Sequence, residues 1–227
     1  MKKNILLSVF ISMFLFATAQ AGSFGLGVSG NMASISADGT ETTPTGSETD
    51  TSVRSATAGN DFMYGSIFAE YNVGDSERFT LGIDYIPGAA DVNRKSISRT
   101  DATADANETN QQDGDRTANA EIDKHITYYA ELNFDGGLYL KYGFTQVDIN
   151  TTESNSLTGT GGSYPNVELD AHTYGVGMKG DLGTNGFYKL EGSMTDYDNF
   201  SATSTTSNTV SANLDSVTGK IAIGYKF

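Results

Sequence analysis

From Asp215 to Phe227 the chain alternates. Val217, Gly219, Ile221, Ile223, Tyr225 and Phe227 fall on one face, and Ser216, Thr218, Lys220, Ala222, Gly224 and Lys226 fall on the other. A two-residue period marks a strand with one apolar and one polar side. The same rhythm runs through Ser23 to Ile35, Asp61 to Val73, Arg78 to Pro87, Lys124 to Phe134, Leu138 to Asn150, Asp170 to Leu182 and Phe187 to Asp198. Long polar stretches, Ser36 to Asn60, Gly88 to Asp123, Thr151 to Leu169 and Asn199 to Leu214, separate some of these segments. Short links, Gly74 to Glu77, Asp135 to Gly137 and Gly183 to Gly186, join the others.

Eight strands whose connections alternate between long and short predict an all-β fold: an antiparallel up-and-down transmembrane β-barrel over residues 22–227. Residues 1–21 read as a cleavable signal peptide. Lys2 and Lys3 precede an apolar run from Ile5 to Phe16, and Ala19-Gln20-Ala21 supplies small residues for cleavage. A secreted N-terminus starts in the periplasm, so both termini are expected there and the four long loops outside the cell.

Charge sharpens the picture. The apolar faces carry no ionised group. The opposite faces carry Glu70, Asp84, Glu131, Asp181 and Glu191 with Lys141, Lys179, Lys189, Lys220 and Lys226. Lysine facing lipid at the bilayer centre costs about 2–4 kcal/mol, so these ten are expected to form a structural charge network in the lumen. Pairing Phe134 with Leu138 sets Glu131 opposite Lys141. Pairing Leu182 with Tyr188 sets Asp181 opposite Lys189 and Lys179 opposite Glu191, and slipping that hairpin by two would oppose two lysines. Three ion pairs are expected from this register. Aromatic residues are expected in two girdles: Phe24, Tyr71, Phe79, Phe134, Tyr225 and Phe227 toward the short turns, and Tyr85, Tyr128, Phe144 and Tyr174 toward the long loops.

Composition excludes several classes. The 227-residue chain has no cysteine, hence no disulfide or thiolate site. Net charge is −14, or −16 without Lys2 and Lys3, so nucleic acid is not an expected partner. Mean hydropathy is −0.32, too low for a helical membrane bundle but compatible with a barrel.

Little catalytic machinery is visible, and neither enzyme activity nor a cofactor or metal site is expected. The two histidines are His125 and His172. His125 and Thr127 share the inward face of their strand. His172 shares a face with Tyr174 in the outer girdle. The acids Asp101, Asp105, Glu108, Asp113 and Asp115 do not follow EF-hand spacing and read as a solvated loop.

The terminal strand, ending in Tyr225-Lys226-Phe227, resembles the last strand of Gram-negative outer-membrane barrels. There, a final Phe preceded by alternate apolar residues is the signal for the barrel-assembly machinery; Ile221, Ile223, Tyr225 and Phe227 match it. The mature chain resembles the eight-stranded barrels of the OmpA, OmpX and opacity-protein kind, without the soluble domain of OmpA-type proteins. The resemblance implies a non-enzymatic surface protein whose loops contact outer-membrane lipid, lipopolysaccharide or another surface. A narrow solute channel is the alternative. His125-Ile126-Thr127 is faintly similar to the His-x-Ser of lipid A deacylases, but Thr replaces Ser and the pair turns inward, which leaves a lipid-modifying enzyme improbable.

Overall fold

The computed structural model describes residues 22–45, 50–88, 90–91, 97–102, 113–155, 164–204 and 209–227; the expected signal peptide lies outside them. The described residues form the strands β1 (Gly22–Thr45), β2 (Asp50–Val73), β3 (Phe79–Ile86), β4 (Ala90–Asp91), β5 (Ile97–Ala102), β6 (Asp113–Asn133), β7 (Leu138–Asn155), β8 (Val167–Leu182), β9 (Gly186–Tyr197), β10 (Phe200–Thr203) and β11 (Thr209–Lys226). β3, β4 and β5 follow one another along β6, and β9 and β10 along β11, so these strands build eight staves. Every pairing is antiparallel. β1 pairs β2 on one side and β11 on the other, from Gly25↔Lys226 to Thr42↔Thr209, and the cylinder closes with no free edge between first and last staves. At the 135–137 turn Gly136 and Gly137 take φ of 89° and 88°, a region that a Cβ disfavours.

The outward faces follow the alternation. Leu26, Val28, Met32, Met63, Ile67, Leu138, Leu140, Val176, Leu190, Val217, Ile221 and Ile223 are all exposed. Met63 at 80% and Ile221 at 65% exposure would be untenable in water in such numbers. The surface is a belt for hydrocarbon, and the strands satisfy their own backbone groups as a membrane requires. Rings bracket it: Phe24, Tyr225 and Phe227 cluster at the short-turn end, with Phe227 6.2 Å from Phe24 and 5.0 Å from Tyr225. Tyr142 and Tyr174, 5.6 Å apart, stand toward the other end.

The staves are longer than the polar stretches suggest. β1 continues past Ile35 to Thr45, and the ladder with β2 runs to Thr45↔Asp50. β6 begins at Asp113 rather than Lys124, and β11 at Thr209 rather than Asp215. The physical reason is an inversion of polarity without loss of alternation. On β7, Leu140, Tyr142 and Phe144 point out and Lys141 and Thr145 point in. Beyond them Gln146 and Asp148 take the outer face, while Val147 and Ile149 are buried inside. β8 does the same, with Tyr174 outside giving way to Asp170 as Leu169 and Ala171 turn inward. Val147, Ile149 and Leu169, packed by Val167, Tyr197, Phe200 and Leu214, form an apolar core inside the barrel above the belt. The cylinder thus has an ionic centre where lipid surrounds it and an oily centre where water does.

Candidate functional site

The lumen is layered. Nearest the short turns, the Ser23 hydroxyl donates to Glu77 Oε1 at 2.8 Å, Asn72 Nδ2 to Ser23 at 3.0 Å, Thr80 to Asn72 Oδ1 at 2.6 Å and Asn133 Nδ2 to Thr80 at 2.9 Å. Lys226 Nζ lies 3.1 Å from Glu77 and 3.8 Å from Asp181 at the rim. The Glu77 carboxyl sits in the link between β2 and β3, outside the belt. Burial pushes its pKa up, but the Ser23 hydroxyl and the Lys226 ammonium together outweigh that and hold it below its ordinary 4.5.

One layer further in, Lys189 Nζ is 2.8 Å from Glu70 and 2.5 Å from Glu131. Tyr129 donates its hydroxyl to Glu70 at 3.2 Å. Lys141 bonds Glu191 at 2.9 Å, and Tyr139 donates to the other Glu191 oxygen at 2.9 Å. Lys220 pairs with Asp84. Phe68, Tyr129, Lys141, Lys189, Glu191 and Lys220 close on one another here and leave no room for a water. A charge in this setting holds only with its partner in place.

Above the ions lies a cavity of about 60 Å³. Its wall carries a chain of hydroxyls, Thr127 to Thr145 at 2.8 Å, Thr145 to Thr173 at 2.9 Å and Thr173 to Thr195 at 2.9 Å, which steps across four staves. Tyr64, His125 and Tyr197 also face it. The space suits a few waters.

The ten charged groups are therefore distributed as follows. Glu70, Asp84, Glu131, Lys141, Lys189 and Glu191 are buried in the lumen, and Lys220 nearly so. Lys179 reaches Thr80 at 3.5 Å. Lys226 and Asp181 belong to the short-turn rim, where the Asp181 side chain is 79% exposed. Two expectations need correction. Glu131 does stand opposite Lys141 in the ladder, but the two do not bond each other: each lysine reaches across the narrow lumen, Lys189 to Glu131 and Lys141 to Glu191. The β8–β9 register is the one that opposes Lys179 to Lys189, with Asp181 against Phe187 and Gly177 against Glu191. So the expected Asp181–Lys189 and Lys179–Glu191 pairs do not form.

The register has another cause. Tyr188 lies over Gly180 across the strand, and a Cβ on that glycine would collide with the ring. The motif repeats inside the barrel, with Tyr139 over Gly177, Tyr129 over Gly82, Phe68 over Gly27 and Phe187 over Gly224. Each aromatic ring needs the gap its opposite glycine leaves. Alternating glycines facing strand-paired aromatics were a signal in the sequence that charge matching overlooked.

His125 lines the cavity, and Thr127 is bonded to Thr145. His172 faces outward: its Nδ1 is 2.8 Å from the Tyr142 hydroxyl, and Phe144 packs edge-on at 5.9 Å. Among the described residues no group of three or more metal-ligating side chains comes together. Asp105 and Glu108 lie outside the described residues.

No family model matches this chain. No curated protein matches it either. Solved structures do. The outer membrane protein AlkL in lipid bilayers is similar with a TM-score of 0.48 and 13% identity, over 92% of this chain and 91% of that one. Neisserial surface protein A gives 0.42 and 12% over 92% and 100%. The outer membrane protease OmpT from Escherichia coli gives 0.40 and 10% over 90% and 97%. Barrels host unrelated activities, so function must be argued from this chain's own side chains.

Proposed function

We propose that the protein is a non-enzymatic outer-membrane barrel that acts as a plugged pedestal, holding its long-loop end outside the cell for contact with a surface or envelope partner. The observation that carries this is the pairing of a filled lumen with an extended upper barrel. Lys189 between Glu70 and Glu131 blocks the middle, while the β1–β2 ladder continues from Ala33 and Phe62 to Thr45 and Asp50. At about 3.3 Å per residue that is roughly 40 Å of strand beyond the belt. A channel would need the space those ions occupy. The short-turn end, with both termini, faces the periplasm, and Ile221, Ile223, Tyr225 and Phe227 present the assembly signal there.

The test compares the intact protein with a form whose β1–β2 hairpin is cut back to residues 36 and 59. Binding of whole bacterial or host-type cells to immobilised protein is expected to fall at least tenfold on trimming, with folding unchanged. Planar bilayers holding the intact protein are expected to stay electrically silent. Steady, reproducible unit openings would favour the solute channel and overturn the pedestal.

A further inference from the structure

The two sides of β2 are not paired alike. Its ladder with β1 runs without a bulge from Gly22↔Val73 to Thr45↔Asp50. Its ladder with β3 covers Ile67↔Tyr85 to Val73↔Phe79 and stops there. Pro87 has no N–H to continue it, and Gly88 at φ 93° turns the chain aside. β4 and β5 then pair β6. Among the described residues no strand meets β2 on that side beyond Ile67.

Above the belt this edge is bare. Ser55, Thr57 and Gly59 on the outer face are exposed, and so is Ala56, which holds an inward position. An inward residue open to solvent has no wall standing opposite it. Val53, on the outer face, is 63% exposed. Among the described residues the other large apolar side chains that lie so open belong to the belt or its girdles, so Val53 offers an apolar contact in water. Edge strands are normally guarded by proline, lysine, a bulge or shortness. Val53–Gly59 has no proline, no lysine and no bulge, carries one charged residue, Arg54, and belongs to a strand of 24 residues. Its edge is about 23 Å long, within the ordinary range for one added strand.

We propose that the β3-side edge of β2 from Val53 to Gly59 binds an extended, lysine-bearing segment of another polypeptide by strand addition. Main-chain hydrogen bonds supply the affinity, and alternate side chains supply the choice. Charge selects the partner. Asp61 is exposed on the same face just below the segment, Asp38 accepts the Thr57 hydroxyl at 2.6 Å from the β1 side, and the whole chain carries −14. Lysines in the added strand are attracted there, and an acidic strand is repelled. An apolar side chain beside Val53 completes the fit. The proposal rests on the long-loop end making contact outside the cell and names how it does so.

The probe is the labelled heptapeptide Lys-Thr-Val-Thr-Val-Thr-Lys, added to the intact protein in nanodiscs. Fluorescence anisotropy is expected to show at least tenfold tighter binding than for the same peptide methylated on every internal backbone nitrogen, and than for its form with Glu in both Lys positions. Amide exchange read by NMR is expected to slow within residues 53–59 when the plain peptide is added. Ser55→Lys with Thr57→Lys, which guards the edge and leaves the β1–β2 ladder in place, is expected to weaken binding at least tenfold. Heat-modifiable gel mobility shows that this variant is folded. No binding of the plain peptide overturns the proposal, as does equal binding of the methylated or the Glu form. Protection of every amide from 53 to 59 before peptide is added would mean that the chain's own residues cover the edge, and overturns it too. Cell binding separates this inference from the pedestal: a double-lysine variant that holds cells as the wild type does, while the trimmed hairpin loses them, keeps the pedestal and removes the edge.

Discussion

Lys189 has both of its carboxylate partners almost wholly out of solvent, Glu70 and Glu131 at 1% exposure each. Replacing it by methionine keeps the volume and strands two buried negative charges, at a cost of about 3–5 kcal/mol. Lys179, a half-buried neighbour whose ammonium reaches, among the described residues, only a threonine at 3.5 Å, is expected to cost about 0–1 kcal/mol on the same replacement. Urea midpoints of the two variants in detergent read the difference directly. Glu77 supplies a pH dependence. Its pKa is depressed by folding, so its contribution is present above the ordinary 4.5 and disappears as pH falls through the lower folded value. Glu77→Gln is therefore expected to lower stability at pH 7 and leave it nearly unchanged in strong acid. Melting curves across pH 7 to 2 measure this.

Strand pairing shows where charge is a poor guide. Two lysines opposed in a ladder look forbidden when only the ladder is considered. In a cylinder this narrow the nearest partner of an inward side chain is often across the lumen, and Lys189 uses that freedom. Rings and glycines have no such reach. Tyr139 must find Gly177 on the adjacent strand, so bulk fixes what charge does not. Gly177→Ala is expected to destabilise the barrel by about 1–3 kcal/mol through overpacking against the Tyr139 ring. Gly192→Ala, on the open outer face, is expected to be nearly neutral. Refolding yields into detergent, followed by gel mobility, separate the two.

At the scale of the whole molecule, stave number, direction and facing were legible because one rule, apolar outward, holds on every stave inside the belt. The same rule hid the upper barrel. Val147, Ile149, Val167 and Leu169 keep the two-residue period with its sense reversed, and a search for greasy outer faces passes over Val167 and Leu169 as loop. Cross-lumen partners such as Glu131 and Lys189 were beyond reach for a different reason: they are 58 positions apart in the chain and no ladder joins them. The reversal also sets a waterline. Asp61, Asp196 and Asp215 begin where Met63, Met194 and Val217 end, so a film thicker by two residues' rise, about 7 Å, would submerge three carboxylates. Such a vessel has one draught, and membranes of the wrong depth would either thin around it or exclude it.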